Sequence, residues 1–298
     1  MEKDMSFGKV ENTGLYDEWD KLKDFYYRDL IRRDADAQWI FRGQPNLHSK
    51  EPHELTTTLE RTITQYEVPL SKARAFEKKV LDEFKRQLHN YASNPPHRDD
   101  NSEWLAIIRH YGGPTRLIDF TYSFFVAAYF ALNLSKDDSV IWAIDSRWCC
   151  EEVNNNLGID KKTQIGKQPK LFNDYIFIDP QDDIEPFVYP ITPFRLNPRI
   201  VVQTGTFLCP RRIDLSFEEN LFNMIDEKDN RSVIRIKINT KAMRKEGIKD
   251  LHRMNINSAS LFPGLEGFAE SLHSHIVFPE LWDYVSQAED IKNDHNQD

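Results

Sequence analysis

The longest apolar run in the chain, YSFFVAAYFALNL at 122–134, is shorter than the roughly 20 residues a membrane-crossing helix needs. A soluble fold has to house it, and the residues before it indicate how. The preceding stretch, RHYGGPTRLIDFT at 109–121, ends one helix at Gly112-Gly113-Pro114 and then runs extended. Thr121 or Ser123 can cap the next helix, which reaches about Leu134.

The remaining elements follow from periodicity. Trp19, Leu22, Tyr26 and Leu30 predict a helix over 15–33, and Phe76, Val80, Phe84, Leu88 and Tyr91 a stronger one over 71–92, opened by Ser71. ASNPPHRDDNSE is a loop; a helix then runs from Asn101 or Ser102 to Arg109-His110. Further helices are predicted near 148–156, 240–253 and 263–275. Strands are predicted at 38–42, 140–145, within YIFID, at 199–208 and at 232–238. With no repeat and no regular βαβ rhythm, the expectation is an α+β fold: a mixed sheet with a helical N-terminal layer. The chain divides into an N-terminal helical segment (1–37), a main domain (38–285) and a polar tail (286–298).

The 298 residues, 40% of them hydrophobic, can form one large domain or two small ones. A formal net charge of −9 makes a poor generic binder of nucleic acid or anionic lipid, since phosphate affinity comes from Lys and Arg. The N-terminus, MEKDMSFGKVENTG, has no apolar core and does not read as a signal peptide. Three cysteines, Cys149, Cys150 and Cys209, have no metal-like spacing. They read as reduced thiols of a cytoplasmic protein.

Four constellations carry chemistry. WIFRGQ brings Arg42 to the end of an apolar strand, where its planar guanidinium suits a phosphate or carboxylate. Gly43 lets a ligand or another backbone come close. The alternative is a structural Arg–carboxylate pair. RHYGGPTRLIDFT gathers His110, Tyr111, Thr115, Arg116, Asp119 and Thr121 around a glycine turn. These residues make either a cluster of donors and acceptors, with Arg42 and Arg116 suited to a diphosphate, or an Arg116–Asp119 pair with two helix caps. In RIVVQTGTFL, Gln203 shares a strand face with Gly205; it either contacts a ligand or is a buried, satisfied side chain beside a bulge. In LFPGLEGFAESL, Glu266 is either a catalytic carboxylate or an early-helix acid favoured by the dipole. Lys161, Lys162, Lys167 and Lys170, with Arg211-Arg212, form a solvated loop or a polyanion patch. There is no P-loop, Rossmann glycine motif, HExxH, GxSxG or zinc spacing.

Taken together, WIFRGQ, LTTTLER, HYGGPTRLIDFTYSFFVAAYFA, RIVVQTGTFL and LFPGLEGFA resemble the FRG domain family, over roughly residues 38–275. The motif that names the family is Phe41-Arg42-Gly43; Phe120 stands where the family often has tryptophan. The family occurs mostly in bacteria and their mobile elements, a setting in which a defence role fits. The arginine strand also resembles that of ADP-ribosyltransferases, which implies an ADP-ribosyltransferase-like fold and NAD as the cofactor. On that resemblance Arg42 and Arg116 hold the diphosphate, with Gly43, Gln44, Thr115, Asp119 and Thr121 completing the binding set. His110 and Tyr111 frame the base or nicotinamide. Those enzymes commonly carry a glutamate on a late strand. Here Gln203 stands there, with Glu266 as the substitute and His110 as a further catalytic residue. The expected activity is ADP-ribosyl transfer or NAD glycohydrolysis. The alternatives are a binding module for nucleic acid or nucleotide, and an interaction domain whose arginines are structural.

Overall fold

One interior strand, β4, Ser139–Asp145, is buried along its whole length. Its side chains alternate between two cores: Val140, Trp142 and Ile144 enter one, Ile141 and Ala143 the other. A strand covered on both faces has no polar side, which is why SVIWAID reads as a near-continuous apolar run. The computed structural model describes residues 9–45, 55–135, 137–177, 185–195, 197–226 and 231–277.

Among the described residues β4 lies within a seven-stranded sheet of order β1-β7-β4-β2-β3-β6-β5. The strands are β1 (Glu11–Tyr16), β2 (Trp39–Gln44), β3 (Ile118–Thr121), β5 (Val188–Ile191), β6 (Gly205–Pro210) and β7 (Val233–Ile238). β1 and β7 pair parallel; every other neighbouring pair is antiparallel. The fold is therefore α+β with a mixed sheet.

The helices are α1 (Trp19–Asp24, continuing through wider turns to Arg33), α2 (Thr58–Gln65), α3 (Ala73–Gln87), α4 (Asn101–His110), α5 (Phe124–Leu134) and α6 (Ser146–Asn156). After them come α7 (Pro169–Phe172), α8 (Pro198–Val202), α9 (Phe217–Asn223), α10 (Thr240–Arg253), α11 (Ser258–Leu261), α12 (Leu265–Ser271) and α13 (His273–Val277). No helix of the described residues is long and apolar enough to cross a membrane.

The apolar run at 122–134 is α5, capped by Ser123. It is apolar all round because it is covered all round. On the sheet side it lies against Gly43 so closely that a Cβ there would sit 1.9 Å from the Ala127 carbonyl oxygen and 2.7 Å from the Ala131 nitrogen. On the other side α10 approaches through Gly247, where a Cβ would meet Leu132 at 2.6 Å and Trp19 at 3.2 Å. Tyr129 closes a third side, its hydroxyl 2.6 Å from that of Ser258.

Several expectations are corrected. Residues 1–37 are not a purely helical layer: β1 pairs with β7 and joins the sheet. ENTGLY carries Asn, Gly and Glu, which have low strand propensity, so only the partner strand makes it extended. Residues 199–204 are not strand. Asn197 caps α8 through its side chain, Pro198 occupies the first helical position, and the pair overrides the β-branched run Ile200-Val201-Val202. Of YIFID, Tyr175–Phe177 lie in a helical turn, Asn173–Phe177, continuing α7, which Pro169 opens. The remaining two residues lie outside the described ones, as does the 286–298 tail. The predicted 71–92 helix is regular only over α3, with single 3₁₀ turns at either end. α2, not anticipated, is set by a capping box between Thr57 and Glu60.

The Gly43 contact gives a direct prediction. Gly43→Ala forces two backbones apart, so it should destabilise the protein by about 1–3 kcal/mol, as overpacked cores do. A fall in the denaturant midpoint checks it; an unchanged midpoint contradicts the packing.

Candidate functional site: a cationic cavity beside an apolar one

Arg42 leaves the sheet on the face opposite Phe41 and Gly43, as strand alternation requires. Its Nη1 donates to the backbone carbonyl of Asp119 at 2.8 Å. Its Nε is buried with no hydrogen-bond partner among the described residues. Burial pushes its pKa down to about 10; Asp119 opposes the shift, while Arg109 and Arg61 add to it. Gly43 does not hold an approach open for a ligand, because α5 fills the space in front of it. Gln44 pairs in register with Val140 of β4 and lines none of the cavities described below.

The glycine turn does assemble polar groups, in a different pairing from the one the spacing suggests. Asp119 pairs with Arg109, through Nε at 2.9 Å and through Nη2. Arg116 is fully buried and forms a bidentate pair with Glu77 of α3, with Nε 2.8 Å from Oε1. Its Nη1 donates to the carbonyls of Ile176, Pro210 and Arg211, and its guanidinium lies 5.2 Å from the Phe177 ring centre. Burial pulls the Arg116 pKa down, but Glu77 more than offsets it and the group stays charged. Arg116 is thus spent on joining α3, β6 and the 173–177 turn, and Arg42 and Arg116 do not share a diphosphate. Thr115 is also structural: its N–H donates to the Thr58 hydroxyl at 3.0 Å and its carbonyl accepts from Leu59. The Thr121 hydroxyl donates to the Gln203 carbonyl at 2.6 Å.

Two cavities meet at the end of α4. The first, of about 200 Å³, is lined by Arg109, His110, Asp119, Asn197, Arg199 and Gln203 over the β3–β6 sheet surface. The second, of about 510 Å³, is apolar and aromatic, with Phe84, Leu88, Tyr91, Ile107 and Tyr111 in its walls. His110 and Asn197 line both. Among the described residues neither nitrogen of His110 has a hydrogen-bond partner; its ring stands edge-on to Tyr111 at 4.8 Å. Arg199, again among the described residues, has no carboxylate partner and rests 4.9 Å from the Phe262 ring centre. Gln203, the C-cap of α8, donates its side-chain amide to the Leu261 carbonyl at 2.9 Å.

Sequence reasoning placed His110, Asp119 and Gln203 in one site, and all three line the first cavity. It missed Arg109, Arg199 and Asn197. The asparagine-proline signal at 197–198 could have found the last, since it marks a helix start. Glu266 is exposed in the first turn of α12 and lines neither cavity, the place of an early-helix acid. Of the supposed polyanion patch, Arg211 is buried and Arg212 pairs with Asp214 at 2.6 Å, leaving only the exposed lysines of the 161–170 loop. A larger cleft of about 840 Å³ beside α3 mixes Asp82 and Asp99 with Lys85, Arg86 and Arg98. Counting Lys and Arg against Asp, both linings carry one excess positive charge; the His110 cavity differs in being smaller and in adjoining the aromatic one. Cys149, Cys150 and Cys209 are free thiols.

Residues 37–139 match the family described as FRG domain. The matched stretch contains Arg42, Arg109, His110 and Asp119; the Asn197–Gln203 wall and the motif around Glu266 lie beyond it, although the sequence resemblance extended to about 275. No curated protein and no solved structure matches the chain.

Two outcomes follow from this geometry. Glu77→Ala leaves a buried guanidinium unpaired and should cost about 3–5 kcal/mol of stability in a denaturant melt. His110 should titrate below its ordinary value, because burial and then Arg199 disfavour the imidazolium, with Asp119 opposing them. A folded pKa below the unfolded one means that stability from this group is complete above the unfolded value, near 6.5. It is lost as pH falls through that region. An NMR titration should show the depressed midpoint, and Arg199→Ala should raise it; a midpoint unmoved by that change contradicts the assignment.

Proposed function

We propose that this chain, which carries an FRG domain over residues 37–139, binds a nucleotide, with NAD the first candidate. One observation carries the reading: Arg109 and Arg199 line one small cavity with a single carboxylate, Asp119, and Arg199 has no carboxylate partner among the described residues, while Arg42, outside the lining, donates to the Asp119 backbone carbonyl. Such an excess of positive charge in a partly desolvated recess favours a phosphate oxygen, which a guanidinium holds with charge-assisted hydrogen bonds. The adjoining aromatic cavity supplies π-faces for a base, with Tyr111 at its wall. This is the alignment of phosphate and ring that a nucleotide offers.

The net charge of −9 supports a small nucleotide over a nucleic-acid polymer, whose affinity scales with the number of phosphates neutralised. For turnover, the chemistry to be tested is release of nicotinamide from NAD, by ADP-ribosyl transfer or glycohydrolysis. Asp119 is the carboxylate at the site, and it is paired with Arg109. A bacterial, cytoplasmic defence role is consistent with the family's setting and enters as part of this proposal.

The test is a thermal-shift and calorimetric screen of NAD, ADP-ribose, the four ribonucleoside monophosphates and inorganic phosphate, with nicotinamide release followed in parallel. The expected result is a raised melting temperature with at least one nucleotide. In Arg199→Ala that affinity should fall by about 1.5–3 kcal/mol, the range for hydrogen bonds to charged groups, with the fold intact. Absence of any nucleotide-induced shift overturns the reading; a shift that survives Arg199→Ala unchanged overturns the site.

A further inference from the structure

The seam between the two cavities defines which part of a nucleotide each residue meets. Phosphate and base are always joined through the sugar. If phosphate lies with Arg109 and Arg199 and the base lies between Tyr91 and Tyr111, the sugar crosses at the two residues common to both cavities, His110 and Asn197. Both present unsatisfied hydrogen-bonding groups there. The Asn197 Oδ1 accepts the Ile200 N–H at 2.9 Å as the cap of α8, which fixes the amide orientation and leaves Nδ2 as a donor without a partner among the described residues. The His110 imidazole has no partner on either nitrogen among the described residues, and its depressed pKa keeps it neutral at pH 7, so it offers one donor and one acceptor. Tyr111 holds the ring edge-on at 4.8 Å.

We infer that His110 and Asn197 are specificity-determining residues that read the sugar hydroxyls and make the site select ribonucleotides over 2′-deoxyribonucleotides. The inference rests on the nucleotide-binding reading of the same site. The 2′-hydroxyl is at once a donor and an acceptor, which matches a neutral imidazole on one side and an amide N–H on the other. A deoxynucleotide occupies the same volume but leaves both groups desolvated and unpaired, and a site built to hydrogen-bond a hydroxyl rejects the analogue that lacks it.

The experiment is calorimetric titration of the full chain with four matched pairs of 5′-monophosphates: AMP with dAMP, GMP with dGMP, CMP with dCMP and UMP with dUMP. The expected result is that at least one ribonucleotide binds, and binds about tenfold more tightly than its deoxy partner, the effect of one to two neutral hydrogen bonds. His110→Phe keeps a ring of similar shape and removes both nitrogens; Asn197→Ser keeps a capping oxygen for α8 and removes the amide donor. Each should reduce the ribose preference toward unity while deoxynucleotide affinity changes little, a ratio that a merely structural role would not move. Circular dichroism melts confirm that both variants fold, and either alone suffices if the other does not. Equal binding of ribo and deoxy forms by the parent overturns the inference and leaves nucleotide binding standing. A ribose preference that persists in both folded variants also overturns it. Failure of every monophosphate to bind overturns the inference, and leaves nucleotide binding standing if NAD or ADP-ribose raises the melting temperature.

Discussion

The contact of α5 with Gly43 sets the rest of the structure. One missing side chain lets a helix backbone lie directly on the sheet, within 1.9 Å of where a Cβ would stand. That contact fixes the height of α5 above β2 and pairs with the similar approach of α10 at Gly247 on the far side. It also commits the alternation of β2. With Phe41 and Gly43 facing α5, Arg42 must face the other way, toward Asp119. The glycine at position 43 is thus the reason Arg42 reaches the backbone of Asp119, behind the cavity wall, and ligand access is no part of its role.

The arginines divide by what surrounds them. Arg116 has a bidentate carboxylate and three carbonyls, and joins three elements of the fold. A guanidinium so satisfied has nothing left for a ligand. Among the described residues Arg42 has one carbonyl and a buried, unmatched Nε, Arg109 shares the cavity's carboxylate, and Arg199 has an aromatic face and no carboxylate. The proposed anion site rests on Arg109 and Arg199, the two that line the cavity. Charge, glycine neighbours and sequence spacing are alike for both kinds of arginine, and the partner that separates them, Glu77, lies 39 residues from Arg116 in the chain.

The same distinction explains how legible the site was. His110 and Asp119 were found because a helix end, a glycine turn and a strand bring them together locally, within residues that are near neighbours in sequence. Gln203 was assigned to the site on a mistaken element, since its helix was read as a strand. Arg199 and Asn197 come from that same segment, and they enter the cavity only because β6 pairs with β3. No local pattern relates residue 199 to residue 109.

The sequence by itself determined the elements whose signals are local: the near-continuous apolar run of β4, the Gly-Gly-Pro stop after α4, the cap and length of α5, and α10 from 240 to 253. Each depends on neighbours within a turn or two, so one dimension suffices. Tertiary structure alone decided what depends on groups far apart in the chain. It made ENTGLY a strand by supplying β7 as a partner, and it paired Arg116 with Glu77, Arg42 with the Asp119 carbonyl, and Arg109 with the Asp119 carboxylate. A charged side chain takes the nearest opposite partner in space, and the sequence does not contain that distance.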